Sequence, residues 1–209
     1  NRTEINESRH NLLNELDQRE IAIKEMHKES QDILDNILDQ TDLELNSEEF
    51  TPKFIVEKNQ NRRNALNIIQ EKIHESPNIS SINLVDVLTP FIKTQIKFYN
   101  VNNVDFNVKV LANVSVSRKT AIVMALIINE IIDNIIREVS TYHEEEVIIR
   151  VDLNVNEDIF INVETSVINI YGKSDLSTKV LKNLVKELNG NLKVKREKFN
   201  TLIDVVLES

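Results

Sequence analysis

Two glycines in 209 residues set the first limit on what this chain can build. Soluble domains average about 7% glycine. Loops that cradle phosphate need backbone amides in close approach or at positive φ, which glycine supplies without steric cost. A fold that binds nucleotide on glycine-rich loops is therefore short of its material here. One glycine, Gly190, follows Asn189 at the end of KVLKNLVKEL and reads as an ordinary helix C-terminus. That leaves Gly172 for any loop of this kind.

The remaining composition narrows the class. Hydrophobic residues make up 41% of the chain, enough for a packed core. No apolar run approaches the roughly 20 residues of a membrane span, so no membrane insertion is expected. The start, NRTEINESRH, is polar and carries no signal-peptide pattern. It also lacks Met, so the chain is expected to be a piece of something longer, such as the cytosolic part of a sensor. Cysteine is absent, which excludes disulfides and thiolate metal sites and fits a cytoplasmic protein. The formal charge of −9 argues against a nucleic-acid partner, because only short basic clusters occur, at Arg62-Arg63 and Lys193 to Lys198.

Residues 4–46 form a charged, helix-like stretch without Pro or Gly. Leu12, Leu16, Ile23, Met26, Ser30, Ile33, Leu34 and Ile37 recur at steps of three and four, a coiled-coil-like seam. Thr51 as N-cap and Pro52 at the first helical position start a second helix, which carries Ile55, Ala65, Leu66, Ile68, Ile69 and Ile73 and ends near SPN at 76–78. Two helices with one apolar stripe each cannot bury it alone. Pairing two such hairpins into a homodimeric four-helix bundle would do so. After Pro77 the pattern becomes α+β. A helix is expected over 84–99, a strand at VDFNVKVLA, a helix from Ser117 to about Val139, and strands VIIRVDLNV and IFINVET around a turn at 156–158. A helix over about 175–188 and a closing hairpin, LKVKR and TLIDVVLE, complete the chain. The expected organisation is a helical hairpin over 1–79 and a mostly antiparallel sheet with helices on one face over 80–209.

The helix LIINEIIDNIIRE (126–138) has two faces. At about 100° per residue, Glu130, Asn134 and Arg137 fall within roughly 60° of one another, with Asn129 and Asp133 beside them. Ile128, Ile131, Ile132 and Ile135 take the other side and are expected to pack on the sheet. Taken alone, the polar residues read as an outer, solvated face.

The order of these elements resembles the core of a sensor histidine kinase, in which a dimerising helical hairpin precedes an ATPase-like α/β sandwich. EMHKESQDIL (25–34) is similar to the phosphoacceptor box of the subfamily that reads E-I-H-H-R-x-K-N-N, with His27 as phosphoacceptor. NQNRRNALNIIQEKI resembles its second helix, and INLVDVL its V-D-L-x-x-Y-L opening of the next domain. The interval from His27 to Ile82 is about what that family shows. LIINEIIDNIIRE resembles its asparagine box, and LVKELNGNLKV its L-V-x-Q-L-G-G-x-L-x-V close.

The resemblance implies roles. His27 lies about 40° from Ile23, at the flank of the apolar stripe. There a neutral imidazole can offer a nucleophilic nitrogen. Glu29 would polarise it and Gln31 would position water. Lys28 and Ile33 depart from the subfamily box. Asn129, Glu130, Asn134 and Arg137 would be the retained nucleotide-binding wall, with Asn134 the Mg²⁺ ligand if ATP is bound. His10 is a rival phosphoacceptor, since SRHNLLNEL resembles the box of another kinase branch, but it lies about 140° from the Ile23 direction. His74 and His143 read as surface residues.

The glycine motifs of that sandwich are missing. Glu164 or Thr165 stands where the family has the Asp of D-x-G-x-G, and no glycine follows. SDLS (174–177) stands in place of the G-L-G-L lid, putting Asp175 where a triphosphate would be repelled. Asn200 replaces the glycine of G-T. The expectation is a dimeric, degenerate histidine-kinase-like protein that exchanges a phosphoryl group between His27 and the aspartate of a response-regulator receiver domain, with no cofactor of its own. Two alternatives remain. One is an ATP- and Mg²⁺-dependent sensor kinase fragment with an atypical site. The other is a non-catalytic dimeric binding module.

Overall fold

The computed structural model describes residues 2–42, 51–76, 81–99, 104–110, 114–142, 147–155, 158–167, 175–198 and 200–207. Two helices, α1 (Arg2–Asp42) and α2 (Pro52–Glu75), form the hairpin. There follow β1 (Ile82–Asn83), α3 (Leu84–Tyr99), β2 (Val104–Val110), β3 (Ser115–Val116) and α4 (Arg118–Tyr142). Next come β4 (Val147–Val155), β5 (Ile159–Thr165), α5 (Asp175–Glu187), β6 (Asn191–Arg196) and β7 (Thr201–Leu207). The α+β class and nearly every element match the sequence expectation. The short β1–β3 pair does not: two-residue strands leave no readable alternation. His143, Gly172, Ser174 and residues 43–46 and 156–157 lie outside the described residues.

Local chemistry sets the boundaries. Thr51 Oγ1 accepts from the Phe54 amide at 3.3 Å, and Pro52 occupies the first turn, where its missing N–H costs nothing. At the other end of α2, Arg19 of α1 donates to the Ser76 carbonyl at 3.3 Å and pins the hairpin antiparallel. Ser117 caps α4 by accepting from the Thr120 amide.

The five-stranded sheet runs β2-β4-β5-β7-β6. Only β2 and β4 pair in parallel, joined by the long crossover through α4. Alternation decides the faces. Ile149, Val151, Leu153, Ile161, Val163, Ile203 and Val205 are buried beneath the helices. On the other face Arg150 pairs with the directly opposed Glu164 at 3.1 Å, and Asn162 with Asp204 at 2.8 Å.

Asn189 and Gly190 close α5 as expected, but glycine is needed at 190 for a reason other than positive φ. The left-handed residue at the end of α5 is Asn189, with φ 50°, and Gly190 is not at positive φ. The Gly190 amide bonds the Val185 carbonyl at 2.9 Å and the Asn189 amide bonds Lys186 at 3.0 Å, the paired closure of a Schellman motif. Glycine is required at 190 by crowding. A Cβ there would lie 2.6 Å from both Leu207 Cδ2 and the Val206 carbonyl.

One hydrophobic cluster runs from Met26 and Ile33 of α1, through Ala65, Leu66, Ile69 and Ile73 of α2, into α3, α4, α5 and the sheet. The apolar stripe of α2, expected to need a second hairpin, is thus covered within the same chain, because α3 and α4 present complementary apolar surface to it. The first half of α1 is not covered. Ile5, Leu12, Leu13, Leu16 and Ile21 are all at least half exposed.

Candidate functional site

His27 and the polar face of α4 meet different faces of α2, and their environments differ completely. His27 is exposed on α1. It borders a groove of about 540 Å³ between α1 and α2, lined also by Lys28, Ser30, Gln31, Arg63, Leu66, Asn67 and Gln70. An exposed imidazole, two cations and three amides are brought together there, with Leu66 as the apolar floor. Gln31 joins His27 in this groove, one turn on, and its amide donates to Asp35 at 2.8 Å. Glu29 does not. Two residues on a helix turn the side chain by about 200°, so it faces away from the groove; its Oε2 is buried and without a hydrogen bond among the described residues. The role given to Glu29 as polariser of His27 has no geometric support. His10 and His74 are exposed and line no part of the groove.

The asparagine-box helix holds the larger correction. From Ala121 to Ile136 every residue of α4 is buried, so its polar residues are not an outer face. A helix surrounded on all sides should be apolar throughout. Here a polar stripe is retained and must find partners, because an unpaired buried charge is costly. The partners come mainly from α2. Arg62, 1% exposed, donates through Nε and Nη2 to the two carboxylate oxygens of Glu130 at 2.6 and 3.1 Å. Lys58, 2% exposed, places its ammonium 2.5 Å from Asn134 Oδ1, 2.5 Å from Asp133 Oδ2 and 3.8 Å from Glu130 Oε2. Asn61 donates to Asp133 at 2.8 Å, and the Tyr99 hydroxyl of α3 does so at 3.1 Å. Gln95 of α3 donates to Asn129 Oδ1 at 2.6 Å. Arg137, half-buried, bridges Asp133 at 3.0 Å and Glu57 at 3.4 Å and lies over the Phe54 ring.

Titration follows from this packing. Burial acts to raise the Asp133 carboxyl, but the charges of Lys58 and Arg137 outweigh it and hold the group below its ordinary value. Burial likewise opposes the charge on Arg62, and Glu130 reverses the effect and raises its pKa. The Tyr99 phenol is pushed well up, first by burial and then by the Asp133 carboxylate.

The side chains that would hold Mg²⁺ are engaged by cations in this arrangement. The oxygen that would hold the metal, Asn134 Oδ1, takes the Lys58 ammonium, and both oxygens of Glu130 are taken by Arg62. A metal would have to displace a buried cation. Among the described residues no group of three or more His, Asp or Glu could hold one. At the far end of the fold, Thr165 rather than Glu164 points inward. It is buried and pairs in register with the buried Thr201. Glu164 faces outward between Arg150 and the Asn200 amide at 3.0 Å, in a groove of about 460 Å³. Asp175 begins α5.

The residues missed in the sequence were Lys58, Asn61 and Arg62. Their signal was present. The apolar stripe of α2 skips from Ile55 to Ala65, and Lys58 and Arg62 fill the gap on the same face.

This hairpin-plus-sandwich is the fold of the histidine-kinase cytoplasmic core. It is similar to the histidine kinase domain of the Erythrobacter litoralis blue-light activated histidine kinase, with a TM-score of 0.65 and 14% identity over 91% of this chain and 94% of that one. The longer structure of the same kinase gives 0.69 and 15% identity over 88% of this chain, which spans 58% of that length. The Acinetobacter baumannii histidine kinase AdeS gives 0.50 and 12% identity over 86% of this chain and 94% of its own. Neither a protein-family model nor a characterised relative matches the sequence. No described helix is long and apolar enough to cross a membrane.

Proposed function

We propose that this chain is a two-component phosphotransfer protein in which His27 exchanges a phosphoryl group with the aspartate of a response-regulator receiver domain. The observation that carries the reading is His27 itself, exposed at the lip of a groove whose other wall presents Arg63, Asn67 and Gln70. In the forward step the neutral imidazole nitrogen attacks phosphorus of the receiver's aspartyl phosphate. The N–P bond forms, the P–O bond breaks, and its electron pair returns to the carboxylate. The other ring nitrogen then gives its proton to solvent. The divalent cation for this step belongs to the receiver. The exposed apolar residues of α1, from Ile5 to Ile21, support pairing with a second copy, and the surface around His27 would dock the receiver.

The ATP-dependent alternative has no comparable support, since Lys58 and Arg62 hold the residues that would serve it. The test is incubation of the chain with a phosphorylated receiver domain and detection of acid-labile phosphohistidine. His27→Gln should abolish the signal without changing the fold, because the side chain is exposed. Equal labelling of His27→Gln and wild type would refute the assignment. No labelling of either would leave the non-catalytic module as the better reading.

A further inference from the structure

Arg62 and Arg63 are neighbours in sequence but point about 100° apart around α2. Arg62 is buried against Glu130. Arg63 is exposed, lines the His27 groove, and has no hydrogen bond or ion pair among the described residues. Most cations of this region are committed: Lys58 and Arg62 to the α4 carboxylates, Arg118 to Glu25 and the Ala22 carbonyl, Lys72 to Glu75. Lys28 also lines the groove, but it sits on the same helix as His27, one residue on. Arg63 stands across the groove on the other wall. Its planar fork of N–H donors matches phosphoryl oxygens in a way a lysine does not. Its position is fixed from the adjoining face of α2. The bidentate Arg62–Glu130 pair and the Lys58 contacts hold the register and rotation of α2, and so the direction in which Arg63 leaves the helix.

We infer that Arg63 is the phosphoryl-binding cation of the His27 groove, held in place by the Arg62–Glu130 pair on the adjoining face of the same helix. The inference rests on His27 as phosphoryl carrier and adds the residue that neutralises the group it carries. Arg63 would bond two phosphoryl oxygens once the N–P bond has formed. It would stabilise the doubly charged phosphoryl and slow its loss to water.

The experiment separates this from the transfer reaction. The full chain is phosphorylated chemically with phosphoramidate, and the phosphohistidine is followed by ³¹P NMR as a function of pH, with His27→Gln to identify its signal. A facing guanidinium lowers the second ionisation of the phosphoryl group. Arg63→Gln should therefore raise that ionisation by about half a unit or more, Arg63→Lys should restore part of the difference, and Lys28→Gln should move it less. Transfer from a phosphorylated receiver should slow about tenfold in kcat for Arg63→Gln, with KM little changed. An Arg63→Gln titration that overlays wild type would overturn the inference, as would equal shifts in Arg63→Gln and Lys28→Gln, or an effect confined to KM. Failure of phosphoramidate to label His27 would overturn both this inference and the phosphotransfer reading. An Arg63-dependent titration without transfer from any receiver would leave Arg63 in its role and remove the phosphotransfer function.

Discussion

Arg62 and Glu130 form a two-pronged ion pair between α2 and α4, with N–O distances of 2.6 and 3.1 Å and both side chains about 1% exposed. Neither helix buries such a residue without the other. Removing one partner leaves an uncompensated charge, so Arg62→Met and Glu130→Met should each cost about 3–5 kcal/mol. The double variant, apolar on both sides, should recover most of that loss. Urea unfolding of the four proteins gives the coupling directly. Single-variant losses under about 1 kcal/mol would mean the pair is solvated.

Asp133 predicts an acid limb. Its folded pKa lies below the ordinary value of 3.8 because Lys58 and Arg137 outweigh burial. A depressed carboxyl contributes stability above its unfolded pKa and loses it as pH falls through the folded one. Wild type should therefore be the more stable of wild type and Asp133→Asn at neutral pH. The gap should narrow as pH drops below about 4. A gap constant from pH 6 to pH 2 would show that Asp133 is not charged in the fold.

Nucleotide offers a third check. Binding at a concentration about 100-fold above Kd would add about 2.7 kcal/mol to the folded state. Millimolar ATP with Mg²⁺ should leave the Tm of this chain where it is, because Lys58 and Arg62 occupy the oxygens a metal would use. A clear rise in Tm would sink the closed-face description of α4.

The end of α5 separates two explanations of a glycine. Gly190→Ala should destabilise by about 1–3 kcal/mol, since its Cβ would meet Leu207 and the Val206 carbonyl at 2.6 Å. Asn189→Gly, at φ 50°, should be neutral or mildly stabilising. Thermal unfolding of both variants checks this, and the reverse order would return the special backbone to residue 190.

Much of the fold was legible because it is written in local periodicity. The alternation of VIIRVDLNV and IFINVET placed β4 and β5 to the residue, and Thr51-Pro52 placed the start of α2. The environment of α4 was not legible. Polar residues on one side of a helix look the same whether water or a second helix covers them, and the covering residues lie about 70 positions upstream. The interrupted stripe of α2 was the local trace of that contact, but it becomes readable only when the carboxylates of α4 are considered with it. Glu29 lies outside the His27 groove for a simpler reason: proximity in sequence to His27 is not proximity in space on a helix. Gln31, four residues from His27, does share its face.

The burial of Lys58 also gives the chain an internal reporter of its own opening. An ammonium enclosed by Asp133, Glu130 and Asn134 is out of reach of acylating reagents, whereas Lys24 and Lys53 stand in solvent. Its acylation therefore has to wait for α2 to part from α4. The rate at which an amine-reactive label accumulates on that one lysine, read by mass spectrometry, would time the separation of hairpin and sandwich in the unmodified protein.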